Sequence, residues 1–589
     1  MRIKKIILFC IPILLILFYW KSTILHISTH LYSPLDVPFV IWILQNNIKH
    51  FSNVDFGLLY ETNAMYPFPL SLSFTEHLFF PSFINWIISW FNSNPITQFN
   101  VLAILNHLLL YISFYFLAGR FTKNSSIKSI LAFFVSFSPY TMSQTSHIQM
   151  IFFWPFLLSM YFLMHPKRNI YHAGIAGVLL GLQFLSSVYG GMMGFGTIAL
   201  YYLCNIPKKK ISEIGVEIGL FVGTFLIVSY PSISGYLAMQ QMYRPVYEQS
   251  QYVTYSAHAS DYFLVFINNS FINNSILRPL IGTFNGHTRG ELAGFVGIVP
   301  LVVCSWYLVV GRKKDKIFIQ NKSLFIWLGL LILIGFVCSI GPRLNWNGKY
   351  LVTPLPYWFV MKYVPFVGAM RAVARYYFLI IFAISVFMVY ALDAIQRGIR
   401  SSLIRLAFLP VIGLLLFLEF YPTPLSATEY KWKTKSFDAL SAICEKDPGP
   451  MLEYPFQYRA KNYDVGKELA YKTLNLFVST QHNCEILSGF SAYEPVKYIE
   501  YMHFFQDHEF NWNQEILLNK LSFKYIKFNL GEMNDGERVQ ITKFVHSPSQ
   551  YVRVLYEDKE TIIVRLRKIM LIKPPAATPD LPIHVKVMD

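Results

Sequence analysis

The chain has 589 residues and a formal net charge of +17, with 54% hydrophobic, 17% aromatic and only 14% charged side chains. A soluble domain carries roughly 25% charged residues, so this composition excludes an ordinary soluble protein. The charge does not mark a nucleic-acid binder either, because residues 421–589 hold 21 basic and 21 acidic side chains and the whole excess lies in residues 1–420, with 29 and 12.

The apolar runs of about 17–25 residues predict a polytopic α-helical membrane protein. Lys4-Lys5 precede Ile6–Trp20, and no small-residue cleavage site follows, so this run reads as a retained first span. Ten more spans follow at roughly 97–119, 126–142, 148–165, 171–189, 191–206, 213–230, 292–310, 323–340, 372–392 and 403–420, giving about 11 in residues 1–420. Lys4-Lys5, Arg120 with Lys123 and Lys128, Lys167-Arg168, Lys208-Lys209-Lys210, Arg312-Lys313-Lys314, and Arg397 with Arg400 and Arg405 then all fall on one side. Short basic loops mark the cytoplasmic side. The N-terminus is therefore expected in the cytoplasm and residues 421–589 outside the cell (cytoplasmic or inner) membrane.

In the first outer loop, 21–96, Val40, Ile41, Leu44 and Ile48 recur near helical spacing, which predicts an interfacial helix over 37–48. A second interfacial or re-entrant helix is expected over 78–92. The long outer loop 231–291, rich in Tyr and Asn, reads as a lid or binding loop. Strand-like runs at 450–456, 485–488, 523–528 and 552–566, with helix-like stretches at 436–444 and 496–505, predict an extracytoplasmic α/β domain over 421–572. The Pro-rich 573–589 stretch reads as a disordered tail. Cys444 and Cys484 are the two cysteines outside apolar spans; they can bond in an oxidising compartment, but sequence does not give their separation.

Several polar residues could carry chemistry. Asp36, in Ser33-Pro34-Leu35-Asp36-Val37-Pro38, leaves two readings open: an N-cap of the 37–48 helix, or a general base. Glu76 and His77 close the same loop; they could hold an acceptor, a phosphate or a metal, or Thr75 and Glu76 could simply start the next helix. His147 and Gln149 share a short outer turn. Arg371 and Arg375, spaced i, i+4, should share a helix face at the outer end of a span, against the positive-inside trend. Their guanidinium forks suit a phosphate, or ordinary anchoring to lipid headgroups. Arg343, in Gly341-Pro342-Arg343, is a candidate for the same task. GxxxxGK[ST], GxSxG, HExxH and GxGxxG motifs are absent.

In this order the features resemble the GT-C superfamily of membrane glycosyltransferases, which includes protein O-mannosyltransferases, oligosaccharyltransferases and the aminoarabinose transferases of lipid A. The likeness to uncharacterised bacterial members rests on Asp36 to Trp42, on Tyr66-Pro67 and Ser73 to Leu78, and on His147 with Gln149. It continues in Pro354 to Tyr357 and in Arg371 with Arg375, and runs weakly into Leu452-Glu453-Tyr454-Pro455. The resemblance implies a polyprenyl-phosphate sugar donor and a lipid, glycan or protein acceptor at the outer face. It makes Asp36 the base; beside that role, Glu76 reads as the catalytic residue that positions the acceptor or a metal, and His77, His147, Gln149, Arg343, Arg371 and Arg375 read as substrate-binding groups. Some members use a divalent cation, Mg or Mn, which Asp36, Glu76 and His77 would hold here. Many members have a second acidic residue at the first site, whereas Asp36 stands between Leu35 and Val37. The rival readings are a non-enzymatic lipid or polysaccharide transporter and a membrane assembly factor.

Overall fold

The computed structural model describes residues 2–205, 210–245, 249–263, 294–311, 318, 320–346, 349–352, 354–363, 370–421, 423–456, 465–482, 484–506, 510, 512–547 and 552–567. The chain forms two compact units. The first comprises residues 1–62, 70–431 and 491–495; the second comprises 63–69, 432–490 and 496–589.

The first unit is built from apolar helices. Among the described residues, five helices, Pro95–Ala118, Ile211–Tyr243, Lys322–Ile340, Val373–Gly398 and Ser402–Glu419, are long and apolar enough to cross a membrane. Shorter apolar helices include Phe9–Tyr19, Ile148–Leu163, Ile170–Ser186, Val188–Cys204 and Ile298–Val310. This is a multi-pass membrane protein. Two expected spans are broken. Residues 126–142 divide into Ser125–Ser136 and Pro139–Ser143, because the residue before a proline is pushed out of the helical region and Ser138 is extended. Residues 148–165 divide into Ile148–Ile151 and Trp154–Leu163, where Pro155 has no N–H to give to the preceding turn. The helix expected to end at 230 runs on to Tyr243. Residues 264–291 of the expected 231–291 loop, and the 573–589 tail, lie outside the described residues.

Helix Ile170–Ser186 packs along Ile211–Tyr243 through glycines spaced three and four apart. A Cβ on Gly174 would meet Leu220 at 3.1 Å, one on Gly177 would collide with Thr224, and one on Gly181 would reach Val228 at 2.6 Å. Without a hydrophobic drive between helices in lipid, such close backbone approach supplies the contact. At the edge of this face, Arg168 and Glu217 form a buried ion pair at 3.0 Å.

The first outer loop folds as two helices, Asp36–Asn53 and Phe79–Ser89. Asn47 ties them together, its Nδ2 donating to the His77 carbonyl at 2.7 Å and to Ser82 Oγ at 2.9 Å. Two small antiparallel pairs complete the unit. One joins β1 (His30–Leu31) to β4 (Thr428–Glu429), and the other joins β2 (Leu344–Trp346) to β3 (Lys349–Val352).

The second unit carries a four-stranded sheet in the order β5 (Met451–Tyr454), β6 (Tyr525–Asn529), β8 (Thr561–Leu566), β7 (Val552–Glu557). β5 and β6 run parallel and the other pairs antiparallel. The run expected over 552–566 is thus a hairpin turned at Asp558, whose carboxylate accepts from the backbone of Glu560 and Thr561. The helices are Lys435–Lys446, Val465–Ser479, Val496–Gln506, Trp512–Lys520 and Asp535–His546. Cys444 and Cys484 are disulfide-bonded, with Cα atoms 5.3 Å apart. Every residue of β5 is buried; Glu453 lies opposite Lys527 of β6, and Lys527 Nζ stands 3.8 Å from Glu453 Oε1.

Candidate functional site

Asp36 is the first residue of the Asp36–Asn53 helix. The helix cap is Leu35, and the Asp36 N–H donates to Ser33 Oγ at 3.4 Å. The N-cap reading of Asp36 therefore fails. What remains is a carboxylate in the first turn, where the helix dipole favours negative charge. It is 38% exposed, and His147 Nε2 stands 3.8 Å from its Oδ1. The turn that carries His147 is fixed from below: the Tyr32 hydroxyl donates to the Thr145 carbonyl at 2.8 Å, and the Tyr19 hydroxyl bonds Thr145 Oγ1 at 3.2 Å. Burial first, and then the neighbouring Tyr19 and Asp36, push the Tyr32 phenol well above its usual range. Tyr32 is a fixed hydrogen-bond donor and carries no charge. Gln149 follows in helix Ile148–Ile151, its Oε1 buried without a hydrogen-bond partner.

Glu76 has a different setting. The next helix starts at Phe79 with Leu78 as its cap, so neither Thr75 nor Glu76 caps it. Glu76 Oε1 accepts from Ser187 Oγ at 2.7 Å. Its Oε2 is buried and has no hydrogen-bond partner. Ser187 itself caps helix Val188–Cys204, accepting from the Gly190 N–H at 3.2 Å. Two residues on, the Tyr189 hydroxyl accepts from the Ala372 N–H at 3.1 Å, and the Arg375 guanidinium lies 5.0 Å over the Tyr189 ring. The Ser187–Tyr189 segment thus joins the Glu76 carboxylate to Arg375 and to the backbone next to Arg371.

Arg371 and Arg375 do not share a helix face. A short 3₁₀ turn, Val373–Tyr376, precedes the helix, and Arg371 lies before it. Arg371 is aimed instead by Tyr255, whose ring it covers at 5.1 Å and whose carbonyl accepts from Ala374 at 3.0 Å. Gly341, at φ +76°, lies against Ser256 and 3.1 Å from Val373 as a Cβ would measure it. A side chain could adopt neither that φ nor that contact without strain. Two residues later, Arg343 has a buried Nε without a hydrogen-bond partner. Neither Arg343 nor Arg371 forms an ion pair among the described residues. Tyr357 of the Pro354–Tyr357 stretch packs with Tyr252 and Val373 in the core beneath them.

His77 stands apart from the Glu76 carboxylate. Its ring is fully buried against Phe79, Tyr60 and Tyr236, and its Nδ1 bonds the Tyr236 hydroxyl at 3.3 Å. Burial pushes its pKa down to about 3. Among the described residues, Asp36, Glu76 and His77 do not gather into a three-ligand set; the one such set is Cys444, His482 and Cys484. The expected metal trio is therefore not assembled here. Sequence reasoning missed Ser187 and Tyr189, which sit in Ser186-Ser187-Val188-Tyr189-Gly190-Gly191. That polar, glycine-containing interruption between two apolar runs was the available signal.

The sequence profile of the family described as Domain of unknown function (DUF6311) matches residues 48–420. No curated protein matches the chain. Its structural neighbours are GT-C glycosyltransferases. Arabinofuranosyltransferase AftD from Mycobacteria superposes with a TM-score of 0.53 at 12% identity, over 96% of this chain and 41% of that one. The chain spans less than half the length of AftD, and the likeness shows a shared fold. ArnT from Cupriavidus metallidurans, solved bound to undecaprenyl phosphate, gives a TM-score of 0.44 at 11% identity, over 97% of this chain and 99% of that one. AglB from Archaeoglobus fulgidus, solved with an inhibitory peptide and a dolichol-phosphate, gives 0.44 at 11% identity, over 97% and 75%.

Proposed function

The chain belongs to the family described as Domain of unknown function (DUF6311), and from that premise we propose that it is an integral membrane glycosyltransferase. It moves a sugar from a polyprenyl-phosphate donor to a hydroxyl of a lipid, glycan or protein acceptor at the extracytoplasmic face. The observation that carries this reading is the Ser187–Tyr189 segment, which bonds Glu76 at one end and contacts Ala372 and Arg375 at the other, with one Glu76 oxygen buried and unbonded. A buried carboxylate oxygen without a donor is costly, and an acceptor hydroxyl would satisfy it. The guanidinium groups of Arg371 and Arg375 would hold the phosphate whose charge grows as the sugar leaves.

Asp36 is the base in this scheme. It takes the proton of the attacking hydroxyl as the bond between sugar carbon and phosphate oxygen breaks. His147, at 3.8 Å, orients that carboxylate. Arg343 and Gln149, each with a buried unbonded polar atom, extend the substrate contacts. The mechanism routes no step through a cation. A coupled transporter would instead need charges at mid-span depth. The buried Arg168–Glu217 pair lies at the beginnings of helices Ile170–Ser186 and Ile211–Tyr243.

The test is to incubate the purified protein with a panel of radiolabelled polyprenyl-phosphate sugars and native membrane acceptors. Transfer of label from at least one donor is expected. If every donor instead equilibrates across proteoliposome membranes with its label still on the lipid, the transporter reading holds and the enzymatic one falls.

A further inference from the structure

The second unit contains a group of side chains that the proposed reaction does not use. Cys444, His482 and Cys484 are all buried, and one ligand atom from each lies within 4.8 Å of the others. Two sulfurs and an imidazole nitrogen at that spacing match the donor set of zinc sites, which form Zn–S bonds of about 2.3 Å and Zn–N bonds of about 2.0–2.1 Å. In this structure the two sulfurs are bonded to each other.

The backbone around them is held by contacts that do not depend on that bond. Cys444 lies in the last turn of helix Lys435–Lys446, which Thr434 caps and which buries Phe437 and Leu440. Cys484 leads into a segment pinned to the edge of the sheet, where the Met451 N–H donates to the Glu485 carbonyl at 2.8 Å and Leu487 donates to Met451 at 3.2 Å. Breaking the disulfide therefore leaves both thiols near His482. The imidazole is poised for a partner as well. His482 Nδ1 accepts from the Cys484 N–H at 3.3 Å, and Nε2 is buried with no hydrogen-bond partner. A buried ring nitrogen without a partner is costly.

We propose that, once reduced, Cys444 and Cys484 join His482 to bind a zinc ion, so that this corner of the second unit alternates between a disulfide and a metal site. In the reductive step a dithiol gives two electrons and two protons to the disulfide, leaving two protein thiols and the oxidised dithiol. Zinc then displaces the two thiol protons. Three protein ligands leave the fourth position to water or an added thiol. This inference is independent of the glycosyltransferase reading.

The experiment uses the full chain in detergent, with zinc alone as the probe. Protein reduced with a phosphine under argon, then freed of reductant, is titrated with zinc against a chromogenic chelator. Cobalt in place of zinc reports thiolate ligation by its charge-transfer band. One equivalent of zinc and a thiolate band are expected in the reduced parent, and neither in the oxidised parent. Cys444→Ser should abolish both, and His482→Ala should weaken zinc binding by about tenfold or more. Far-ultraviolet circular dichroism checks that each variant is folded, and His482→Asn serves if the alanine variant is not. A reduced parent that binds no zinc overturns the proposal. So does zinc binding that survives Cys444→Ser, because it would then belong to other thiols.

Discussion

Asp36 and Glu76 close the two ends of one loop and carry the same functional group, yet their surroundings differ. Asp36 opens a helix, stays partly exposed and faces an imidazole 3.8 Å away. Glu76 opens no helix; one oxygen is held by Ser187, and the other is buried and unbonded. A carboxylate in contact with water and a histidine can accept a proton and pass it on. A carboxylate fixed at one oxygen and open at the other is placed to hold a hydroxyl group. Environment, and not residue type, assigns the two roles.

This contrast can be broken or sharpened by substitution. Asp36→Asn should have the largest effect, lowering transfer by about 10²–10⁴-fold, the range for loss of a general base. Its thermal unfolding midpoint should fall only slightly, by the loss of a first-turn charge worth about 0.3–1 kcal/mol. Arg371→Gln should come next, raising the KM for donor by about 10–100-fold through loss of a charge-assisted contact worth about 1.5–3 kcal/mol. Steady-state kinetics at fixed acceptor would show it, and a weaker effect at high salt is expected. Glu76→Gln should act mainly on the acceptor, raising its KM by roughly tenfold while donor affinity holds. If Glu76→Gln lost as much as Asp36→Asn, the division of roles would be wrong. Ser187→Ala removes both a helix cap and the bond that fixes Glu76. A loss of about 1 kcal/mol in stability and a few-fold loss in transfer are expected, read by thermal denaturation and kinetics.

The smallest effect belongs to His77. Burial holds its pKa near 3, far below the ordinary 6.5, so it stays neutral over any working pH. His77→Gln should leave the pH profile of transfer unchanged. The same depression has a consequence for stability. Below pH 6.5 the unfolded chain takes up a proton that the folded chain refuses, so stability falls as pH drops from 6.5 toward 3. His77→Gln should remove its share of that fall in pH-dependent unfolding curves.

The helical frame was legible because it depends on short-range pattern. Every long apolar run acquired a helix, and the two broken runs contain the prolines that break them. The second unit was less legible. Helix Asp535–His546 carries a capping box, Asn534 with Glu537, which is a start signal visible in its sequence. Val465–Ser479 lacks so plain a start signal. Asp36, Glu76, Arg371 and Arg375 could be picked out as polar groups at the ends of apolar runs, but their geometry could not. Of the two readings open for Asp36, the cap position belongs to Leu35, and the helix face expected to be shared by the arginines is not formed. What joins Glu76 to the arginines is the Ser187–Tyr189 segment, whose partners lie more than a hundred residues away in either direction, and no local pattern encodes such a contact. Cys444 and Cys484 present the same difficulty, since spacing in sequence says nothing about spacing in space.

The most direct measurement of the central claim pairs two readings on one variant. Donor binding and sugar transfer are measured side by side for the parent and for Asp36→Asn, using whichever radiolabelled polyprenyl-phosphate sugar the parent consumes. The predicted result is donor binding within about twofold of the parent, with transfer reduced by about 100-fold or more. Transfer near the parent rate, or donor binding lost together with transfer, would contradict the assignment of Asp36 as the base.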